Sequence, residues 1–287
     1  MSRATVLRSH RPKLGQHFLS DEGYRHRIIE ALDLRPDDVV LEIGAGRGAM
    51  TYLLAERVRQ VVALELDASL AEALKEKVKQ EPRIEVLEGD ILSTDLAGLC
   101  GRHATDKCFV FGNLPYYITS PIIHHLLGFA VSIRSMALLV QREVADRLTA
   151  TPGSRAYGYL TVLTQLYSEP RLTLAVPPGA FSPHPKVNSA LVVFRMVSRY
   201  PEKPTAGEYL PTESGQAALR QFQDREKFLR FVKCCFAHKR KNLVNNLAGT
   251  YAREDVERSL AAMALPPTTR AEQLTLEQLN QLFLALR

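Results

Sequence analysis

Cysteine is scarce in this sequence, and long apolar runs are missing. Four cysteines occur among 287 residues, and none belongs to a Cys-x-x-Cys pair. This pattern is a poor frame for zinc or disulfides, so we expect reduced thiols and no bound metal. No apolar run reaches the roughly 18–20 residues that a membrane-spanning helix needs, and the basic residues 1–14 lack the apolar core of a secretory signal. We therefore expect a cytoplasmic protein with no membrane contact.

The excess of positive charge is small in total but concentrated in two stretches. The chain carries 37 Lys and Arg against 31 Asp and Glu, which gives a formal net charge of +6. Residues 1–27 hold six basic and two acidic side chains, and residues 225–241 hold seven and one. From charge alone two interpretations stay open: solvated helix faces, or a surface that binds the phosphates of a nucleic acid.

Short apolar segments alternate with helical patterns through the first two-thirds of the chain. The predicted strands are residues 39–43, 61–65, 84–87, 109–111, 135–140 and 191–194. Residues 160–165 are ambiguous between strand and helix. Strands that alternate with helices indicate an α/β fold with a mostly parallel sheet covered on both faces.

The pattern changes near residue 200. Prolines interrupt a polar stretch between residues 198 and 215, which is typical of a linker. The predicted helices beyond it are residues 216–236, 239–247, 254–263 and 276–286. Thr275 and Gln278 match a capping box at the start of the last helix. We therefore expect two domains, an α/β domain at residues 1–200 and a helical domain at residues 201–287.

A glycine-rich loop follows the first predicted strand. Residues 44–48 read GAGRG and open a helix. Glycine there permits a tight turn and the close approach of a ligand to the backbone. Glu65 ends the next strand, where its carboxylate can accept hydrogen bonds from ribose hydroxyls. The spacing also satisfies the dinucleotide fingerprint, so a nicotinamide-dependent dehydrogenase stays open at this point.

Polar groups at the ends of the next two strands favour methyl transfer over hydride transfer. Asp90 follows the third strand, where it can meet an adenine amino group, and residues 113–116 (NLPY) follow the fourth. The side-chain oxygen of Asn113 and a backbone carbonyl can each accept a hydrogen bond from one exocyclic amine. Those two bonds would aim the amine's lone pair at an electrophilic methyl group, while Tyr116 offers an aromatic face. A hydride-transfer enzyme has no use for this arrangement.

Taken together and in order, the motifs resemble one family, the S-adenosylmethionine-dependent ribosomal RNA adenine dimethyltransferases. Within it the sequence most resembles the small-subunit, 16S-type branch. The motifs that carry the resemblance are LGQHFL at 14–19, LEIGAGRG at 41–48, NLPYY at 113–117, VQREVADRL at 140–148 and FSPHPKVNS at 181–189. They extend over nearly the whole chain.

The resemblance implies a fold, a reaction and a partner. The fold would be a Rossmann-like S-adenosylmethionine-dependent methyltransferase domain with a small C-terminal all-helical domain that binds RNA. The reaction would be dimethylation of the exocyclic amines of two adjacent adenines near the 3′ end of small-subunit ribosomal RNA. The partner would be that RNA or the assembling small subunit, bound by a monomer. Two alternatives stay open: the large-subunit branch of the family, and a non-catalytic RNA-binding or transcription factor with the same fold.

The resemblance also implies which residues bind the cofactor, S-adenosylmethionine. His17 and Leu19 should contact it from a segment that lies over it. Gly44 should pass close to its methionine portion. Glu65 should bind its ribose, and Asp90 its adenine ring.

A second set of residues should act on the target base. Asn113 should meet both the methionine end of the cofactor and the target amine, and Leu114 should contribute a backbone carbonyl. Tyr116 and Phe181 should stack on the flipped adenine.

Overall fold

A computed structural model describes residues 17–197 and 213–287, with side chains from residue 224 onward in the second range. Most of the N-terminal basic stretch and the predicted domain boundary near residue 200 lie outside these residues. All four cysteines lie within them and are free thiols, as expected.

A seven-stranded sheet forms the centre of the molecule. The described strands, seven in this sheet and two in a separate pair, are β1 Phe18–Leu19, β2 Val39–Ile43, β3 Gln60–Glu65, β4 Ile84–Glu88, β5 Cys108–Asn113, β6 Ile133–Gln141, β7 Ser168–Val176, β8 Phe181–Ser182 and β9 Ser189–Met196. The order across the sheet is β4-β3-β2-β5-β6-β9-β7, while β1 and β8 form a separate antiparallel pair. Within the large sheet, β9 runs antiparallel to β6 and β7, and the other neighbouring pairs are parallel. The predicted parallel-rich α/β fold is thus confirmed.

Helices cover the sheet and make up the C-terminal part. They are α1 Glu22–Ala31, α2 Thr51–Ala55, α3 Ala68–Lys77, α4 Leu96–Arg102, α5 Thr119–Gly128, α6 Arg142–Leu148, α7 Tyr159–Tyr167, α8 Glu213–Cys235, α9 Leu243–Leu247, α10 Arg253–Ala262 and α11 Leu276–Ala285. The ambiguous segment at 160–165 therefore belongs to a helix. The predicted capping box is present, since Thr275 Oγ1 accepts from the Gln278 amide and Gln278 Oε1 accepts from the Thr275 amide. None of the described helices has the length and apolarity to cross a membrane.

The central strands are buried on both faces of the sheet. Every residue of β2 is buried. Val39, Leu41 and Ile43 point into one hydrophobic cluster, and Val40 points into the other. This follows from the two-residue period of a strand, and it explains why β2 reads as a nearly continuous apolar run.

The C-terminal helices share a core with the sheet. Phe228 of α8 and Phe283 of α11 belong to the same hydrophobic cluster as Leu41 and as Val162 of α7. The rings of Phe228 and Phe283 meet edge to face with centroids 5.5 Å apart. The helical part therefore packs on α7 and extends the core of the sheet.

The direction of the chain creates a crevice at one edge of the sheet. From β2 the chain proceeds outward through β3 to β4, and then returns to the other side of β2 as β5. Ligands of open α/β sheets bind where the strand order reverses in this way, outside the carboxyl ends of the strands. Gly44 follows β2 and Asn113 ends β5, so both lie at this crevice.

Candidate active site

The loop after β2 needs its glycines. Gly44 and Gly46 have φ angles of +74° and +57°, a region that side-chain-bearing residues rarely adopt. A Cβ atom at Gly46 would also lie 2.9 Å from the ring of Phe18. The loop is tied to the next strand, because the Gly44 amide donates to the Leu64 carbonyl at 2.8 Å. The backbone at Gly44 and Gly46 therefore has no covering side chain of its own, and it is held in place where the crevice opens.

Glu65 is a buried carboxylate with unused hydrogen-bonding capacity. Its side chain is 2 % exposed. One oxygen accepts from the Gly46 amide at 2.7 Å, and the other accepts from the Asp67 amide at 2.9 Å. A carboxylate offers about four acceptor positions, so two described bonds leave room for further donors. Glu65 lines the crevice, where the hydroxyls of a ribose would supply them.

Asp90 lies on the same wall. It follows β4, and one of its oxygens accepts from the Leu92 amide at 2.9 Å, which starts a short 3₁₀ turn. This bond fixes the carboxylate beside Gly89 and Ile91 at the cavity surface. The site suits an amino group on a purine ring.

The orientation of the Asn113 side chain follows from its partner. Its Nδ2 donates to the His17 carbonyl at 2.9 Å. A carbonyl can only accept, so the nitrogen of the amide must face His17 and Oδ1 must face away from it. The next residue is held as well, because the Leu114 amide donates to the Leu139 carbonyl at 3.1 Å. Asn113 thus presents an acceptor in a defined direction.

Tyr116 is held at its hydroxyl and on one ring face. Its hydroxyl shares a hydrogen bond of 2.7 Å with Ser189 Oγ. The ring of His17 stacks on it with centroids 5.5 Å apart and planes 28° from parallel. Burial raises the pKa of Tyr116, and the bond to Ser189 opposes this in part. The phenol is therefore protonated at neutral pH.

All but two of the residues predicted from sequence line one cavity at the crevice. Those that line it are His17, Gly44, Glu65, Asp90, Asn113, Leu114 and Tyr116. Leu19 lines an adjoining cavity, which shares Gly44 and Asn113 with the first. Segments from five separate places in the sequence are thus brought together.

Phe181 is placed differently from the expectation. Its side chain is fully buried and belongs to the hydrophobic cluster on one face of the sheet. It pairs with Leu19 where β8 meets β1, and Leu19 belongs to the same hydrophobic cluster. In this arrangement the ring has no free face for a base. It acts as the apolar anchor of the 181–189 segment.

Glu42 and Ser189 are polar residues of the site that the sequence analysis missed. Glu42 sits in the middle of β2, is 3 % exposed and lines the second cavity. Desolvation raises its pKa to about 8, although Thr51 Oγ1 donates to it at 2.5 Å. A charged residue inside an apolar strand was the available signal for Glu42. Ser189 ends the motif at 181–189, but the sequence gave no signal of its contact with Tyr116, because the two residues are 73 positions apart.

A basic turn lies apart from the cavity. Lys239, Arg240 and Lys241 are exposed between α8 and α9. Lys239 Nζ donates to the Arg155 carbonyl in the loop before α7. No cluster of metal-ligating side chains occurs among the described residues.

Comparison with known proteins identifies the family of the chain. Residues 7–209 match the family described as ribosomal RNA adenine dimethylase. The chain is 40% identical to the ribosomal RNA small subunit methyltransferase A of Acidobacterium capsulatum over 99% of this chain and 93% of that one. It is 37% identical to the protein of the same name from Leuconostoc mesenteroides, over 96% and 89%.

Two solved structures share most of the fold. The 23S rRNA methyltransferase ErmE is 31% identical, with a TM-score of 0.68 over 94% of this chain and 99% of that one. A dimethyladenosine transferase from Plasmodium falciparum is 24% identical, with a TM-score of 0.71 over 93% and 96%. The chain therefore belongs to the ribosomal RNA adenine dimethylase family of S-adenosylmethionine-dependent methyltransferases.

Proposed function

We propose that this protein dimethylates the exocyclic amines of two adjacent adenines near the 3′ end of small-subunit ribosomal RNA. The observation that carries the proposal is the oriented acceptor of Asn113, which lines the same cavity as Glu65, Asp90 and Tyr116. The small-subunit assignment is supported by relatives named small subunit methyltransferase A, at 40% and 37% identity. The 23S enzyme ErmE, at 31%, is more distant in sequence.

The residues at the crevice fit S-adenosylmethionine. Glu65 has capacity for the ribose hydroxyls, and Asp90, which lines the same cavity, would accept from the adenine amino group. Gly44 exposes backbone where the methionine end would pass, with His17 and Leu19 above it. When bound, the cofactor supplies an electrophilic methyl group on a sulfonium. The protein's part is to bind and orient the two reactants.

Asn113 and Leu114 act on the target amine. In the first transfer Asn113 Oδ1 and the Leu114 carbonyl would accept the two N–H bonds of the amine, and in the second they would share the one that remains, which directs the nitrogen lone pair towards the methyl group. At each transfer the nitrogen would bond the methyl carbon as its C–S bond breaks, and the amine would release one proton to solvent. Preorganised acceptors and close positioning lower the barrier without a protein nucleophile. The base must leave its stack at a cost of a few kcal/mol. The Tyr116 ring offsets part of this cost by stacking on it.

The proposed substrate is the RNA within the assembling small subunit, and the proposed enzyme is a cytoplasmic monomer. The exposed basic turn at residues 239–241 would contact phosphates on the same particle. Together with the N-terminal basic residues, it would hold the particle while single bases enter the cavity.

The test supplies labelled S-adenosylmethionine and purified protein to three substrates: undermethylated small-subunit particles, large-subunit RNA, and DNA. We expect label on two adjacent adenines of the small-subunit RNA alone. Asn113→Ala, whose cofactor affinity should fall far less than its activity, serves as the inactive control. Label on large-subunit RNA alone would overturn the proposal in favour of the large-subunit branch.

A further inference from the structure

We propose that His17 is a positioning residue for the target base, which it orients through Tyr116. This rests on the proposed function and adds a role to the expected contact of His17 with the cofactor. Three described contacts connect His17 to two separate parts of the chain, the segment 113–116 and the segment after β8. They run to Asn113 at the end of β5, to Tyr116 in the following loop, and to Pro183 after β8.

The first contact is made by the His17 backbone. Its carbonyl accepts from Asn113 Nδ2 at 2.9 Å, which sets the direction of Asn113 Oδ1. This bond does not depend on the identity of the side chain. Any substitution at position 17 that preserves the backbone path preserves it.

The second contact orients the imidazole. His17 Nδ1 lies 2.8 Å from the Pro183 carbonyl. Because a carbonyl only accepts, Nδ1 carries the proton. The ring is thereby tied to the segment that leads into Ser189, whose hydroxyl meets the Tyr116 hydroxyl at 2.7 Å.

The third contact uses the ring that the second has oriented. His17 stacks on Tyr116 with centroids 5.5 Å apart and an angle of 28°. Tyr116 is thus held by Ser189 at its hydroxyl and by His17 on one face. Its opposite face is the one left for the adenine. His17, Tyr116 and the base would form one stack in which the outer ring fixes the middle one.

Two substitutions separate the contribution of the stacking ring of His17 from that of its hydrogen bond to Pro183. In His17→Asn, the amide Nδ2 takes the place of Nδ1 and can donate to the Pro183 carbonyl, but the stacking ring is lost. In His17→Phe, the ring remains and the donor is lost. His184→Asn is the matched control, since His184 Nδ1 also bonds a backbone carbonyl of this segment, that of Phe181, but its ring is not stacked on Tyr116.

The experiment measures methyl transfer to small-subunit particles and, separately, cofactor affinity without RNA. We expect His17→Asn to lower kcat/KM for RNA roughly threefold to tenfold, which is the range of an aromatic pair. His17→Phe should recover most of that loss. Because His17 also lines the cofactor cavity, cofactor affinity should weaken in both variants, but by a smaller factor than kcat/KM falls in His17→Asn. Wild-type kcat/KM in His17→Asn, or an equal loss in cofactor affinity, would overturn the proposal.

A spectroscopic measurement keeps the test independent of the substrate. The Tyr116 ring protons should carry a ring-current shift from His17 in tyrosine-labelled protein. The shift should disappear in His17→Asn and persist in His17→Phe and His184→Asn. A shift unchanged in His17→Asn would refute the stack, even if the wild-type protein proved to methylate another RNA.

Discussion

At the scale of single residues, the site depends on groups whose direction is fixed by one partner each. Asn113 is the clearest case, because the His17 carbonyl determines which amide atom faces the cavity. The type of residue was predictable from the NLPY motif. Its orientation was not, because His17 is 96 residues away in the sequence. Local pattern identifies a functional group, but only the fold supplies the partner that aims it.

Removal of the Asn113 side chain should abolish most of the activity. We expect Asn113→Ala to lower kcat roughly 100-fold to 1000-fold, as the loss of one preorganised polar group does in other active sites. Cofactor Kd, measured by calorimetry without RNA, should change far less. Asn113→Asp keeps an acceptor but loses the donor to His17, so it should also be impaired. A fully active Asn113→Ala protein would rule out the proposed mechanism.

The buried carboxyl of Glu42 makes stability depend on pH. Its pKa is about 8 in the folded protein against an ordinary value of 4.5. A group whose pKa is raised on folding contributes stability that is fully present below the unfolded value and is lost as pH rises through the folded value. The free energy of unfolding should therefore fall between about pH 5 and pH 8.

Glu42→Gln tests this directly. Glutamine cannot ionise and can still accept from Thr51, so the variant should lose less stability than wild type as pH rises from 5 to 8. Chemical denaturation at several pH values measures the difference. Glu81→Gln is the control, because Glu81 lies on the surface. Parallel curves for wild type and Glu42→Gln would contradict the assignment.

At the scale of secondary structure, six strands were predicted, and the short strands β1 and β8 and the longer strand β7 were not. The apolar strands of the parallel sheet are continuous runs, which the sequence shows directly. The strand β7 was not predicted because it contains Pro170 and lacks the continuous apolar run of the central strands. It lies at the end of the sheet, where proline is tolerated and one strand edge has no partner strand among the described residues. The position of β7 at the end of the sheet explains its composition. The sequence pattern does not reveal that position.

The helix α9 is shorter than predicted because of its cap. The sequence predicts a helix from residue 239, but Asn242 Oδ1 accepts from the Asn245 amide at 3.0 Å and begins the helix there. Residues 239–241 therefore lie on a turn. The three side chains are therefore not part of a helix face. The charge pattern alone had left open whether these residues form a solvated helix face.

The pairing of β1 with β8 makes Phe181 important to stability. Its ring is fully buried in the core cluster. We expect Phe181→Ala to destabilise the protein by about 3–5 kcal/mol, and Phe181→Leu by clearly less. Urea denaturation measures both. A variant at Phe181 that loses RNA turnover with unchanged stability would instead restore the stacking role that the sequence predicts.

At the scale of the whole molecule, charge and reactive groups occupy different places. The cavity at the sheet edge carries Glu65 and Asp90, while an exposed basic turn lies at residues 239–241. The net charge of +6 does not show this separation of acidic and basic side chains. Substrate affinity and chemistry should therefore respond to different mutations.

The basic turn should govern the salt dependence of RNA binding. Replacement of Lys239, Arg240 and Lys241 by alanine should weaken binding to small-subunit particles. It should also reduce the slope of log K against log salt by about 1 for each lost phosphate contact. Alanine at the exposed Lys75, Lys77 and Lys79 removes the same charge near α3 and serves as control. Equal effects of the two triple variants would show that total charge, and not the turn, sets the affinity.

One strand of the sheet runs against its neighbours, and this determines what it brings to the site. A parallel strand delivers the residues at its end to the catalytic edge. The strand β9 is reversed, so its first residue, Ser189, lies opposite Gln141, the last residue of β6. The segment before β9 is therefore carried to the same edge, which places Ser189 against Tyr116 and Pro183 against His17. A single inverted strand thus brings a connecting loop into contact with His17 and Tyr116, two residues of the cavity lining.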